Sequence, residues 1–281
     1  MKRPGASLRE KKKLVWFAGG DYYIAKELLQ RLDALCPEKC TLVEVFGGSG
    51  FISQNANREK FTNIIYNDAD AKLTALYRAV KEKPELLRLA LSLLPYSHEY
   101  KQIVKELLEE KELSQLVAGA LLFYYVNATF FGKRRGGFAY VVDPSKNPAR
   151  TYARRVSNIG DIASAWRDIT IENLDFRECI KKYDSKLTVF YLDPPYPGRS
   201  SEFYGAEFTA RDLEDLARML SDVRGRFLLK LDADAYSMVA GVLSAGRFSV
   251  ERLERVKMMD KKRQGARKSW TLVLVSNARP A

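Results

Sequence analysis

Apolar positions along the chain change period several times, and each change marks an element. Ile24, Leu28, Leu29 and Leu32 recur at helical spacing behind Asp21, a residue suited to cap the helix. Apolar and β-branched runs at 41–46 and 61–66 predict two strands. The first ends in the tight turn Gly47-Gly48-Ser49-Gly50, the second in Asn67-Asp68-Ala69-Asp70, and a helix is predicted over 71–80. Residues 81–115 are helical in pattern and highly charged, whereas 116–131 are apolar almost all round and predict a buried helix. Residues 143–158, rich in Pro, Asn and Arg, read as a loop leading into a mixed helix over 153–168. Strand-helix alternation then resumes. A short strand at 169–171, a helix at 175–182 and a strand at 187–192 precede a helix at 210–221 capped by Thr209. Strands at 227–231, 248–256 and 271–276 close the chain, with a polar, basic segment at 257–269. The pattern predicts an α/β frame of one doubly wound sheet (14–80 and 169–281), interrupted by an inserted helical, basic subdomain at 81–168.

At 281 residues with 46% hydrophobic content, the chain can bury one large core with a sizeable insertion. No apolar stretch reaches the length of a transmembrane helix, and no signal peptide follows the basic residues 1–13, so no membrane partner is expected. A net charge of +12 suits a polyanionic partner such as nucleic acid, and it also suits a charge-rich soluble surface. The single histidine, His98, disfavours Ser-His-Asp chemistry and His-ligated zinc, and no metal is expected. Cys36, Cys40 and Cys179 form a sparse, odd set, read as thiols in a reducing cytoplasm rather than as a disulfide framework.

Three constellations carry chemistry. In Glu44-Val45-Phe46-Gly47-Gly48-Ser49-Gly50 the glycines let a ligand approach the backbone. Gly48 and Gly50 give only G-x-G, too short for the pyrophosphate fingerprint but sufficient for a nucleoside; a plain turn is the alternative. About twenty residues later, Tyr66-Asn67-Asp68 offers a carboxylate for ribose hydroxyls. Either Asp68 or Asp70 is expected to cap the following helix, leaving the other to bind. The third is the elbow Asp193-Pro194-Pro195-Tyr196 after a buried-strand pattern. Its prolines fix two φ angles and hold a carboxylate, bare carbonyls and a ring in place. An exocyclic base amine is a poor nucleophile, because its lone pair is delocalised into the ring. The Asp193 carboxylate and the Pro194 carbonyl, accepting its two N–H bonds, would aim that lone pair at an electrophilic methyl. Tyr196 can stack on a base flipped from its helix.

In this order the residues resemble the Dam-like, alpha-group DNA adenine N6-methyltransferases, which use S-adenosyl-L-methionine. Trp16-Phe17-Ala18-Gly19-Gly20-Asp21 is similar to the family's first motif, W-x-G-G-K. Phe46-Gly47-Gly48-Ser49-Gly50, Asn67-Asp68, the insertion at 81–168, Asn173-Leu174-Asp175-Phe176 and Asp193-Pro194-Pro195-Tyr196 follow in family order. The resemblance implies a Rossmann-like methyltransferase sheet with an inserted target-recognition subdomain. It implies cofactor contacts at Trp16, Gly19, Gly20, Asp21, Glu44, Phe46, Gly47, Gly48, Ser49, Gly50, Asp68, Asp175, Phe176 and Asp193. It implies catalysis by Asp193, Pro194, Pro195 and Tyr196, and double-stranded DNA as partner, with room for a cognate restriction endonuclease. Lys133, Arg134, Arg135 and Arg154, with Arg150 and Arg155, are candidates for phosphates or guanine edges; a solvated basic face is the alternative. Two positions depart from the family pattern. Asp21 stands where relatives carry Lys, and Phe131-Gly132 lacks the Asn of the GATC-reading members, so GATC is not carried over. An RNA amino-methyltransferase and a catalytically impaired binding protein remain the alternative functions.

Overall fold

A computed structural model describes residues 14, 24–129, 137–197, 208–244, 246–256 and 269–277. Its strands are β1 (Cys40–Glu44), β2 (Phe61–Asn67), β3 (Ile169–Glu172), β4 (Thr188–Leu192), β5 (Arg226–Asp232), β6 (Ser249–Val256) and β7 (Ser269–Ser276). They form one sheet in the order β3-β2-β1-β4-β5-β7-β6. β1 pairs in parallel with β2 and β4, while β7 runs antiparallel to both β5 and β6. This is a doubly wound α/β sheet. Its chain order reverses between β1 and β4, so their carboxyl ends open on a crevice.

β4 is buried at all five positions, which explains its unbroken apolar run. Alternation along it divides two cores. Val189 and Tyr191 pack with Leu28 and Leu32 of α1 (Ala25–Leu35). Phe190 and Leu192 pack on the opposite side with α9 (Phe176–Tyr183) and α10 (Ala210–Asp222). Thr209 and Asp212 form a reciprocal capping box at the start of α10.

Between β2 and β3 run α3 (Ala71–Glu82), α4 (Pro84–Ser92), α5 (His98–Leu107), α6 (Gln115–Asn127), α7 (Pro148–Ser157) and α8 (Ile159–Trp166). The charged stretch after residue 81 is therefore broken, with Pro84 opening α4 and the Ser97 side chain capping α5. α6 is buried almost all round, as its composition predicts, but it ends at Asn127 rather than near 131. Asn127 and Thr129 turn their side chains back onto the carbonyls of Phe123, Tyr125 and Val126, competing with continued helix. The mixed helix expected at 153–168 is two helices, the first opened by the Asn147 cap and Pro148. Asp175 caps α9 rather than beginning it. Two short helices, α2 (Phe51–Asn55) and α11 (Ala233–Val239), were not predicted; Asp232 caps the second.

The cysteine expectation is corrected. Cys36 and Cys40 are joined as a disulfide, because the turn from α1 into β1 brings their Cα atoms to 5.9 Å. Cys179 is the free thiol, and burial pushes it up to about 12, so it is no nucleophile at neutral pH.

Trp166, the last residue of α8, is wholly buried. It stacks on Tyr77 of α3, with ring centroids 4.0 Å apart at 22°, and meets Tyr66 of β2 edge-on at 5.1 Å. Tyr66 in turn donates its hydroxyl to the Gly48 carbonyl at 2.9 Å. Trp166 of the inserted stretch thus supports the glycine turn through Tyr66. Among the described residues no helix is long and apolar enough to cross a membrane.

Candidate active site

The carboxyl ends of β1, β2 and β4 open on a cleft lined by Val45, Phe46, Gly48, Asn67, Asp68, Ala69, Leu174, Asp175, Phe176, Asp193, Pro195, Phe208 and Asp212. Gly48 brings the glycine turn into its lining. Gly47 N–H donates to the Asn67 carbonyl at 2.7 Å, and Gly50 N–H to the Gly47 carbonyl at 2.8 Å. Gly48 and Gly50 have φ of +51° and +61°, the left-handed region that favours glycine. A β-carbon on Gly47 would fall within the Tyr66 ring. At Gly48 it would meet nothing within 4 Å, so the backbone there is open to a ligand.

The two competing carboxylates are resolved. Asp70 caps α3, accepting from Lys72 and Leu73 N–H. Asp68 lines the cleft and accepts the N–H groups of Gly48 and Asp70, each at 2.8 Å. Asn67 is 1% exposed and clamps three segments together. It donates to the carbonyls of Val45 and Leu174 and accepts from Leu174 N–H at 2.9 Å. The rings of Phe46, Phe176 and Phe208 meet pairwise at 5.7–5.8 Å between centroids, forming an apolar wall. Arg177 lies over the Phe176 ring and donates to Asp212 and Asp215 at 2.5 and 2.9 Å, tying α9 to α10. Its bond to Asp212, with that to Asp215, raises the guanidinium above its ordinary value. Burial pushes the Asp212 carboxyl up, but the bonds from Arg177 and Thr209 outweigh it and hold the group low.

Asp193 follows the last residue of β4, with Pro194 buried and Pro195 and Tyr196 half-buried. Lys230 Nζ lies 2.5 Å from Asp193 Oδ2, and the lysine side chain is only 3% exposed. The lysine stands alone as a charge in the apolar run Phe227-Leu228-Leu229-Lys230-Leu231, a signal legible in the sequence but not used. Asn67 and Phe208 were also missed as parts of the cleft.

Other expected site residues lie elsewhere. Glu44 does not line the cleft: it is 3% exposed, and its carboxylate accepts the Ser53 N–H and hydroxyl below the glycine turn. Gly47, Ser49 and Gly50 shape the turn without lining the cleft. Trp16, Gly19, Gly20, Asp21, Lys133, Arg134 and Arg135 lie outside the described residues.

A second cleft, of about 580 Å³, opens between the end of α6 and α7 and is lined by Asn127, Lys146, Arg150, Arg154 and Arg155, among others. Arg155 Nη1 donates to Asn127 Oδ1 at 2.7 Å. Burial lowers the Arg155 guanidinium from its ordinary value, and the nearby Tyr96 only partly offsets this. Among the described residues, none of Arg150, Arg154 and Arg155 is in an ion pair with a carboxylate.

The chain matches the family model of the D12 class N6 adenine-specific DNA methyltransferases over residues 17–230, well over half its length. The chain belongs to this family. No curated protein sequence shows a significant match. Solved structures similar to this D12 methyltransferase include a SAM-dependent O-methyltransferase from Thermotoga maritima. That pair has a TM-score of 0.39 and 10% identity, covering 92% of this chain and 66% of the other, just under two thirds of its length. The rRNA methyltransferase aviRa from Streptomyces viridochromogenes gives a TM-score of 0.37 and 15% identity, with 98% and 87% covered.

The D12 methyltransferase cofactor is S-adenosyl-L-methionine, and the cleft fits it. Asp68, Asp175, Asp193 and Asp212 line the cleft, and among the described residues no Lys or Arg lines it, so even with Arg177 and Lys230 balancing part of the charge its surface presents acceptors that suit a ligand bearing a sulfonium and an ammonium better than a pyrophosphate. The aromatic wall suits a purine, and Asp68 beside the open Gly48 backbone suits a ribose.

Proposed function

We propose that this chain transfers a methyl group from S-adenosyl-L-methionine to the N6 amine of adenine in double-stranded DNA, acting on a base flipped out of the helix. The observation that carries this reading is the placement of Asp193 and Pro195 in the lining of the cleft that suits the cofactor. When bound, the cofactor supplies an electrophilic methyl carbon on a positively charged sulfur. The chain supplies orientation. Asp193 and the Pro194 carbonyl accept the two amine N–H bonds and draw the nitrogen toward tetrahedral geometry. Tyr196 stacks on the extruded base. Once the nitrogen has taken the methyl, it releases one proton to solvent.

The order of Phe46-Gly47-Gly48-Ser49-Gly50, Asn67-Asp68, the intervening helices and Asp193-Pro194-Pro195-Tyr196 supports a Dam-like, alpha-group arrangement. In this reading 14–80 with 169–281 is the catalytic domain, and 81–168 is the DNA-recognition subdomain. Arg150, Arg154 and Arg155 take backbone phosphates, and Lys133, Arg134 and Arg135 also contact DNA. A cognate restriction endonuclease would share the enzyme's recognition sequence. Labelled S-adenosyl-L-methionine offered with DNA and RNA in competition tests the choice of polymer. Label in DNA supports the reading, and label confined to RNA contradicts it.

Two variants probe the two clefts. Asp68→Ala removes the acceptor of the Gly48 N–H, and the calorimetric dissociation constant for S-adenosyl-L-methionine is expected to rise about tenfold to a hundredfold. An unchanged constant would place the cofactor elsewhere. Arg155→Met is expected to weaken DNA binding about tenfold and to make its salt dependence shallower by about one phosphate contact. The same slope as wild type would remove Arg155 from the DNA interface.

A further inference from the structure

The sheet places a buried cation against the carboxylate of the proposed catalytic elbow. Leu192 of β4 is in register with Leu229 of β5, so the next residues, Asp193 and Lys230, are neighbours across the two strands. Strand alternation puts them on the same face. Leu229 and Leu231 pack in the core of α9 and α10, and Leu228 packs with Tyr191 in the core beyond the other face. Lys230 points to that other face with its side chain 3% exposed, and its Nζ is 2.5 Å from Asp193 Oδ2.

Stability does not account for this lysine. Desolvating an ammonium and a carboxylate costs about as much as their attraction returns, and a well-packed apolar residue would serve the sheet equally well or better. Lys230 is flanked in sequence by Leu228, Leu229 and Leu231, and its β7 partner in register is Leu274. We infer that Lys230 is a positioning residue for methyl transfer: by binding Asp193 Oδ2 it fixes the plane of the carboxylate that serves as a hydrogen-bond acceptor for the target amine. The pair also balances the Asp193 charge where a polyanionic substrate must approach. In the step it serves, the amine nitrogen forms the new C–N bond with its lone pair and the S–CH3 bond breaks. The bonding electrons return to sulfur, and the nitrogen then loses one proton to solvent. Lys230 touches none of the reacting atoms; it acts through Asp193.

This inference rests on the proposed function, and the test separates the two. Wild type, Lys230→Met, Asp193→Asn and the double variant are assayed on adenine-containing DNA, with calorimetric binding of S-adenosyl-L-methionine and thermal unfolding measured alongside. Lys230→Met is expected to lower kcat about a hundredfold, while both KM values and the cofactor dissociation constant stay within about threefold of wild type. Asn keeps a carbonyl acceptor but no charge for Lys230 to hold, so adding Lys230→Met to Asp193→Asn is expected to change kcat by less than about threefold. A kcat for Lys230→Met within about threefold of wild type overturns the inference. So does an equal fractional loss in both backgrounds, or a loss confined to KM. If Lys230→Met does not fold, Lys230→Gln carries the same test through its retained N–H donor: a kcat lowered about tenfold with unchanged KM supports the role, and a wild-type kcat refutes it. A wild type that methylates no adenine refutes the function itself. A wild type that methylates beside an equally fast Lys230→Met refutes only the role of the lysine.

Discussion

Replacing Asp193 with alanine is expected to lower kcat for adenine methylation about a thousandfold. The carboxylate sits at the end of β4, followed by Pro194 and Pro195 and in contact with Lys230. Without it the amine keeps its planar, delocalised geometry. The variant is also expected to unfold more readily, because Lys230 is left buried without the charge beside it. Asp193→Asn, which keeps an acceptor, should retain more activity than the alanine variant. Steady-state kinetics on DNA check this, and equal rates for the two variants would point to a role for Asp193 other than accepting from the amine.

The second large effect falls on stability. Trp166→Ala is expected to cost about 3–5 kcal/mol in denaturant unfolding, the range for a fully buried aromatic. The loss comes from its stack on Tyr77 and its edge contact with Tyr66. A cavity there also frees the Tyr66 ring, which stands against Gly47 and bonds the Gly48 carbonyl. Cofactor affinity should therefore fall with stability even though Trp166 does not line the cleft. A cost below about 1 kcal/mol would mean that the site collapses around the missing ring.

The alternating frame was legible because a buried strand shows as an unbroken apolar run, as in Val189-Phe190-Tyr191-Leu192, and because Gly47 to Gly50 and the two prolines punctuate it. Which carboxylate would cap α3 was not legible. Asp68 and Asp70 have equivalent side chains, and only the approach of the Gly48 N–H decides between them. Glu44 was expected at the cofactor because it sits beside the glycines. Its carboxylate is instead taken up by Ser53, and it is not part of the cleft lining. Lys230 was hidden for a related reason: its partner lies on the next strand, 37 positions earlier in the chain, and register is set by the fold. The Cys36–Cys40 bridge likewise depends on the turn between α1 and β1, which spacing alone does not determine.

The central claim is that Asp193 directs a methyl group onto the N6 amine of adenine in DNA. Nucleoside mass spectrometry of DNA incubated with the protein and S-adenosyl-L-methionine bears on it most directly. N6-methyl-2′-deoxyadenosine made by wild type and lost in Asp193→Ala is the predicted result. Methyl found only on cytosine, or N6-methyladenine formed equally fast by Asp193→Ala, would contradict it.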